Sequence, residues 1–188
     1  SLPDDYMTKK QTVSYAGLFD DVGADAWYAS SVDYVKYGRL MYGTGNNLFQ
    51  PDAQMTRAMF AQVLYALEGS PSVRGLSCPF TDAGGSWYHA GVVAGVSATQ
   101  FAPNEALTRE QMVTMLYGYA GRDEQLSGSD GALASYQDQA SVSGWAREAM
   151  AWAVSAGVIT GTSTTTLAPQ KIGTRAEVAT VLMQFCEQ

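Results

Sequence analysis

Apolar residues recur with helical spacing in three separate stretches of this sequence. In each stretch they occupy the third, sixth, seventh and tenth positions after an arginine. They are Phe60, Val63, Leu64 and Leu67; Met112, Met115, Leu116 and Tyr119; and Val178, Val181, Leu182 and Phe185. This spacing places the four side chains on one face of an α-helix, and that face must be buried. The pattern predicts three equivalent helices packed around a pseudo-threefold axis, with solenoid stacking as the alternative.

The arginines belong to a longer frame that occurs three times. Segments 43–57, 95–109 and 161–175 read GTGNNLFQPDAQMTR, GVSATQFAPNEALTR and GTSTTTLAPQKIGTR, with eight residues from glycine to proline and six from proline to arginine. Upstream of each segment lies an aromatic residue two positions before an aspartate, followed by a tryptophan. These residues are Phe19, Asp21 and Trp27; Phe80, Asp82 and Trp87; and Tyr136, Asp138 and Trp145. Such self-similarity indicates tandem copies of one supersecondary unit.

Each arginine follows a threonine, a residue type that often caps the start of a helix. The threonines are Thr56, Thr108 and Thr174. Gln111 and Glu177 complete a capping box in the second and third helices, whereas Met59 breaks it in the first. The arginine then becomes the first helical residue, where a cation opposes the helix macrodipole by about 0.3–1 kcal/mol. Its threefold presence, beside first-turn N–H groups that favour anions, predicts a pocket for an anionic group.

A shorter helix is predicted before each glycine loop. The glycine lies sixteen positions after the tryptophan in residues 27–43 and 145–161, but only eight positions after it in residues 87–95. Eight residues are about two helical turns. The second repeat has therefore lost most of this helix, or the sequence omits a segment there. Loss of two turns would expose core, which favours the omitted segment.

Composition excludes several classes of function. The chain has 188 residues, a net charge of −7 and a pI of about 4.5, which disfavours binding to nucleic acid. It contains no apolar run near the roughly 20 residues of a membrane span and no signal-peptide pattern at its start. His89 is the one histidine, so histidine metal clusters and catalytic triads lack material, and we expect no cofactor, no metal and no catalytic residue. Cys78 and Cys186 form either one bridge or two unrelated thiols.

The combined pattern resembles the S-layer homology domain. The resemblance runs from Phe19 to the C-terminus and is most specific at the Thr-Arg pair, which reads TRAM, TREQ and TRAE; the third copy alone has the full family form. It implies an all-α fold of three helix–loop–helix repeats, packed as a pseudo-threefold bundle around a central three-helix core. The boundaries it implies are residues 1–18 as a linker or packing segment, 19–70, 79–122 (shortened) and 136–188 as repeats, together forming one domain.

The resemblance also implies a function. Such domains attach exported proteins to secondary cell-wall polysaccharides of Gram-positive-type bacteria, often through a pyruvylated N-acetylmannosamine unit that carries a carboxylate. The expected location is extracellular, at the cell wall or S-layer. Ligand-binding positions carried over from the family are Arg57, Arg109 and Arg175; Asp21, Asp82 and Asp138; Trp27, Trp87 and Trp145; and Gly43, Gly95 and Gly161. An alternative is an assembly module with protein partners within a surface layer and degenerate glycan sites.

Each of these residue types also has a structural interpretation. An arginine can pair with the aspartate of its own repeat, and a tryptophan can pack between units. An aspartate can cap a helix or brace a loop, and a glycine can serve a positive φ or a close backbone approach. Among the arginines we favour Arg175, because its TRAE motif is intact and the helix that follows Trp145 is present.

Overall fold

The computed structural model describes residues 18–72, 78–83, 95–121 and 126–188. Over these residues it contains five α-helices and no β-strand, in agreement with the predicted all-α class. The helices are α1 (Ala29–Tyr37), α2 (Arg57–Leu67), α3 (Arg109–Ala120), α4 (Arg147–Ser155) and α5 (Arg175–Cys186). Short 3₁₀ helices span Asp130–Leu133, Gln139–Ser141 and Gly144–Ala146. The predicted N-terminal segment up to residue 17 and the shortened stretch with Trp87 lie outside the described residues.

The three helices that begin at arginine are capped as predicted. In each, the threonine hydroxyl accepts a hydrogen bond from the backbone N–H three residues later. In α3 and α5 the Gln111 and Glu177 side chains return a bond to the threonine N–H at 3.1 Å, which completes both capping boxes. The Met59 side chain of α2 has no acceptor for such a bond, so this helix has the threonine cap alone.

The predicted apolar stripes are buried at their first three positions in every copy. The fourth position, at the end of the helix, is half-buried in each: Leu67, Tyr119 and Phe185. The stripes therefore identify the core faces of the three helices, and each face becomes more exposed at its C-terminal end.

The chain divides into two compact units. The first combines residues up to 54 with residues 174–188, and in it α1 packs on α5. The second contains residues 55–173, where α3 packs on α2 and α4, and the 3₁₀ helix Asp130–Leu133 covers α4. Leu133 is fully buried there, so part of the segment between the second and third repeats belongs to the core.

A closed ring of backbone hydrogen bonds lies within the second unit. Met55 N–H donates to Gly173 O (3.0 Å), Gly173 N–H to Leu107 O (2.9 Å), and Leu107 N–H to Met55 O (2.8 Å). Each of these residues lies two positions before one of the helical arginines. The ring thus joins the three equivalent segments through the same backbone contact. None of the helices in the described residues is long and apolar enough to cross a membrane.

Candidate functional site

The aspartate of each repeat braces the loop that precedes the proline. The Asp21 carboxylate accepts hydrogen bonds from Phe49 N–H (2.8 Å) and Gln50 N–H (2.7 Å). The other copies match it, with Asp82 on Phe101 and Ala102 and Asp138 on Leu167 and Ala168. The second amide of each pair belongs to a non-glycine residue in the left-handed region, with φ of 56°, 57° and 53°. Each carboxylate therefore holds a strained turn, which confirms loop bracing as one role of these aspartates.

This bracing changes the acidity of two of the carboxyls. The Phe101 N–H, then the Ala102 N–H and more weakly Arg57, lower the pKa of Asp82 from its ordinary value of 3.8. The Leu167 and Ala168 amides, together with Arg109, lower the pKa of Asp138 despite its partial desolvation. Both groups are therefore ionised at neutral pH, as acceptors of backbone amides should be.

Each arginine is buried and binds the loop of another repeat. The side chains of Arg57, Arg109 and Arg175 are only 4%, 4% and 8% exposed. Their Nε–H groups donate to the carbonyl oxygens of Phe101 (2.7 Å), Leu167 (3.1 Å) and Phe49 (2.7 Å), respectively. Further bonds run from Arg109 to Thr160 O and from Arg175 to Tyr42 O, both at 2.6 Å. The guanidinium carbon also lies over an aromatic ring, at 5.0 Å for Arg57 on Phe101 and 4.5 Å for Arg175 on Phe49.

The aspartate near each arginine comes from a different repeat than the arginine itself. Asp82 interacts electrostatically with Arg57, Asp138 with Arg109, and Asp21 with Arg175. The interpretation of an ion pair with the repeat's own aspartate was therefore wrong. The carboxylate and the guanidinium instead bind the same loop residue. The aspartate accepts a hydrogen bond from the backbone N–H of that residue, and the arginine donates one to its backbone C=O.

The expectation of free N–H groups in the first helical turn was also wrong. The amides of Arg57 and Ala58 donate to Glu105 O and Pro103 O, both at 3.0 Å. Equivalent bonds bind the starts of α3 and α5 to the carbonyls of Lys171 and Pro169 and of Ala53 and Pro51. The helix starts are thus satisfied by backbone, and the arginine side chain remains as the cationic group of each site.

The glycine that is repeated at the start of each loop has a steric cause. A Cβ on Gly43 would lie 2.7 Å from the Phe19 ring and 2.8 Å from Leu48 O. Gly95 meets Phe80 and Gln100 O, and Gly161 meets Tyr136 and Thr166 O, in the same way. None of the three has a positive φ, so close backbone approach, and not a left-handed turn, requires glycine here. The aromatic residue that opens each repeat is the ring against which the glycine packs.

Of the three tryptophans that follow the repeat aspartates, the two that the structure describes stand in solvent. Trp27 is 65% exposed and Trp145 is 60% exposed, so neither is a packing residue of the core. Trp27 makes an edge contact with Tyr28 at 5.2 Å between ring centroids. Large apolar side chains exposed to this degree are available for binding.

Arg57, Gly95 and Trp145 come together in one pocket of the second unit. The pocket has a volume of about 450 Å³ and is also lined by Val96, Gln111, Thr114 and Met115. Among the described residues that line it, Arg57 carries the one charge. Burial lowers the pKa of Arg57, while Glu105 and Asp82 raise it, and an arginine remains protonated at neutral pH. Each of the three repeats thus contributes one predicted site residue, and Trp145, which we expected beside Arg175, lines the same pocket as Arg57.

Sequence reasoning missed the α3 wall of this pocket. Gln111 was assigned to helix capping and Met115 to the buried stripe, and Thr114 was not considered. Their spacing of three and four residues does place them on one side of a helix. Within the described residues, no group of three or more histidine, cysteine or acidic side chains could hold a metal ion, and His89 lies outside them.

In each copy the loop before the proline is bound by the aspartate of its own repeat and by the arginine of another repeat, an arrangement that we call the loop clasp. Three such clasps define an all-α module of tandem repeats. The chain belongs to the S-layer homology domain family, whose model matches residues 18–61, 79–113 and 135–179. This agrees with the resemblance drawn from the three Thr-Arg frames.

Curated relatives share this module at modest identity. The chain is 26% identical over 178 residues to an S-layer protein of Bacillus thuringiensis subsp. finitimus and 27% identical over 185 residues to S-layer protein sap of Bacillus anthracis. It is 27% identical over 180 residues to the exoglucanase XynX of Acetivibrio thermocellus. At least 90% of this chain is covered in each case, but it spans only 21%, 22% and 16% of the relatives' lengths. The family and the S-layer relatives indicate a cell-surface or cell-wall location.

Proposed function

We propose that this chain is a non-catalytic module that holds an exported protein on the bacterial cell wall by binding an anionic, pyruvylated secondary cell-wall polysaccharide. The observation that carries this proposal is the pocket at Arg57, where a buried cation, a glycine loop and an exposed tryptophan meet. Membership of the S-layer homology family supports attachment to the cell wall. The names of two relatives as S-layer proteins support it as well.

The charge of the pocket favours an acidic sugar substituent. Arg57 is 4% exposed, and a guanidinium in such a site attracts a carboxylate more strongly than one in bulk water. The net charge of the chain is −7, so long-range attraction would not bring an anion to its surface. Recognition of the carboxylate must therefore be local, through Arg57 itself.

The remaining lining residues suit the body of a sugar. The exposed face of Trp145 offers a broad apolar surface on which a pyranose ring can stack. The Gln111 side chain and the Thr114 hydroxyl add polar groups of α3 to the lining. A pocket of about 450 Å³ falls in the range typical of sites for small ligands.

The other two arginines form equivalent candidate sites. Arg109 and Arg175 share the loop clasp and the braced aspartate with Arg57, and Gly161 and Gly43 occupy the place of Gly95. The repeated clasps and the ring through Met55, Leu107 and Gly173 support the proposed pseudo-threefold bundle around a central three-helix core. The repeat boundaries inferred from the sequence remain predictions.

A second candidate function is assembly with protein partners in a surface layer. Trp27 and Tyr42 of the first unit are 65% and 64% exposed, and exposed aromatic side chains favour protein contacts. This function predicts a concentration-dependent oligomer of the chain, measurable by sedimentation, that has no affinity for glycan.

A pull-down with cell-wall sacculi tests the primary proposal. We expect the chain to bind intact sacculi and to lose binding after chemical removal of the attached polysaccharide. Trp145→Ala should weaken binding about tenfold or more with little change in melting temperature, because this side chain is mostly exposed. Met59→Ala is the matched control, since Met59 is 47% exposed but does not line the pocket. Equal binding to stripped sacculi, or equal losses in both variants, would contradict the proposal.

A further inference from the structure

The side chain of Glu110 is a buried carboxylate that accepts hydrogen bonds from three donors. Glu110 is the second residue of α3 and only 2% exposed. Its Oε2 accepts from Ser143 N–H (3.0 Å), and its Oε1 accepts from the Ser143 hydroxyl (2.7 Å) and the Gln170 amide (2.8 Å). A carboxylate in such a place is strongly destabilising unless it is well hydrogen-bonded. The three hydrogen bonds therefore account for a buried carboxylate at this position of α3.

Those contacts connect two walls of the Arg57 pocket. Helix α3, which carries Glu110, contributes Gln111, Thr114 and Met115 to the pocket. Ser143 immediately precedes the 3₁₀ helix Gly144–Ala146, which contributes Trp145 to the lining. The Ser143 hydroxyl does not cap that 3₁₀ helix; it donates to Glu110.

Trp145 has little else to fix its place. The indole is 60% exposed, so packing constrains it weakly, whereas the next residue, Ala146, is fully buried. The Gln170 amide reinforces the same point by lying 3.2 Å from Ser141 O and 3.3 Å from the Ser143 hydroxyl. The hydrogen bonds among Glu110, Ser143 and Gln170 thus bind the residue at which the turn with Trp145 begins.

The rest of the α3–α4 contact does not depend on Glu110. Tyr117 of α3 donates to Glu148 of α4 at 2.9 Å, and its ring meets Trp152 at 5.5 Å between centroids. These contacts can hold α4 on α3 when Glu110 is replaced. The residues at the same register in the other two copies are Ala58 and Ala176, and an alanine has no carboxylate with which to make this link.

We propose that Glu110 is a positioning residue of the Arg57 pocket, which acts by fixing the Ser143–Trp145 turn so that the indole stands at the right distance from the guanidinium. The inference rests on the proposed function of this pocket. Glu110 itself does not line the pocket, and its effect on a ligand passes through Trp145.

The test uses the full chain labelled with 5-fluorotryptophan, and the Trp145 signal in the ¹⁹F spectrum is assigned with Trp145→Phe. Glu110→Ala should shift and broaden the Trp145 signal and leave the Trp27 signal unchanged. It should weaken binding of polysaccharide fragments released from sacculi about tenfold, which corresponds to about 1.4 kcal/mol. Glu110→Gln, which retains an oxygen acceptor, should restore most of both. Glu148→Ala is the matched control on the same helix pair and should leave the affinity unchanged.

Three results would overturn the proposal. They are an unchanged Trp145 signal in Glu110→Ala, a changed signal with unchanged affinity, and an equal loss of affinity in Glu148→Ala. If Glu110→Ala fails to fold, Ser143→Ala removes one of the three donors and carries the same expectation at a smaller size. A wild-type chain that binds no fragments would refute the function of the pocket, while the Trp145 signal would still report whether Glu110 fixes the turn.

Discussion

Two helix pairs, one in each unit, show how differently the same repeat can be fastened. In the first unit α1 packs on α5, and in the second α4 packs on α3. Both long helices have twelve residues, begin with a threonine-capped arginine and close a full capping box. The Thr180 hydroxyl of α5 lies 3.1 Å from the Ser31 hydroxyl of α1, whereas α3 uses the Glu110 carboxylate and the Tyr117 hydroxyl.

The repeat motif encodes the loop clasp, whereas each of the two helix pairs has its own polar contacts between the short and the long helix. The loop clasp is the same in all three copies because it uses backbone groups and the repeated aspartate and arginine. The polar contacts between short and long helix lie outside that motif and differ between the two pairs. Trp145 of the Arg57 pocket follows Ser143, which takes part in these divergent contacts. An intact clasp therefore does not by itself make a binding site. Each site has to be judged by the helix pair beside it.

The largest predicted effect comes from placing a glutamate in α5 at the register that Glu110 has in α3. Ala176 has the register of Glu110 and is 1% exposed. Ala176→Glu would bury a carboxylate that lacks the serine partner, because Asp25 occupies the position of Ser143 in the first repeat. We expect a loss of about 3–5 kcal/mol in the free energy of unfolding, measured with urea. Ala58→Glu, at the half-exposed equivalent on α2, is the control and should lose less than about 1 kcal/mol. Equal losses would contradict the comparison.

A smaller effect is expected from the buried carboxyl of α1. Asp33 is 2% exposed, and its Oδ2 accepts no hydrogen bond. Burial raises the pKa of Asp33 from 3.8 to about 6, an effect that Lys36 partly offsets. A carboxyl whose pKa is raised by folding stabilises the fold fully below pH 3.8, and this stabilisation is lost as the pH rises towards 6. Asp33→Asn should therefore increase the free energy of unfolding by roughly 1–3 kcal/mol at pH 7 and leave it unchanged below pH 4.

Melting curves of the wild type and Asp33→Asn between pH 3.5 and pH 7.5 would measure this difference directly. The difference between the two proteins matters, because Asp82 and Asp138, whose pKa values are lowered, weaken both proteins alike at acid pH. A constant difference across the range would mean that Asp33 does not titrate as its burial implies.

Much of the fold could be read from the sequence because it is written in local rules. The threonine before each arginine predicted the helix starts, and the apolar stripes predicted the core faces. The loop glycines predicted either a positive φ or a close backbone approach, and the structure shows the second. These features depend on residues within one turn or one loop of each other. Three copies of the same frame made each of them recognisable.

The site was less predictable because its residues come from three different repeats. A repeated frame shows which residues are equivalent, but it does not show which copy lies against which. For that reason the aspartate of Arg57 proved to be Asp82, and the tryptophan of its pocket proved to be Trp145. Glu110 gave no signal beyond its departure from alanine at that register, since a charged residue in the first turn of a helix is usually solvated.

The central claim is that the Arg57 pocket binds an acidic sugar, and the most direct measurement is a calorimetric titration of the chain with polysaccharide fragments released from sacculi. The fragments are used before and after mild acid removal of their pyruvyl groups. We expect saturable binding of intact fragments and at least tenfold weaker binding once the carboxylate is gone, because the fragment then offers no anionic group to the Arg57 guanidinium. No binding, or equal affinity for both preparations, would contradict this claim.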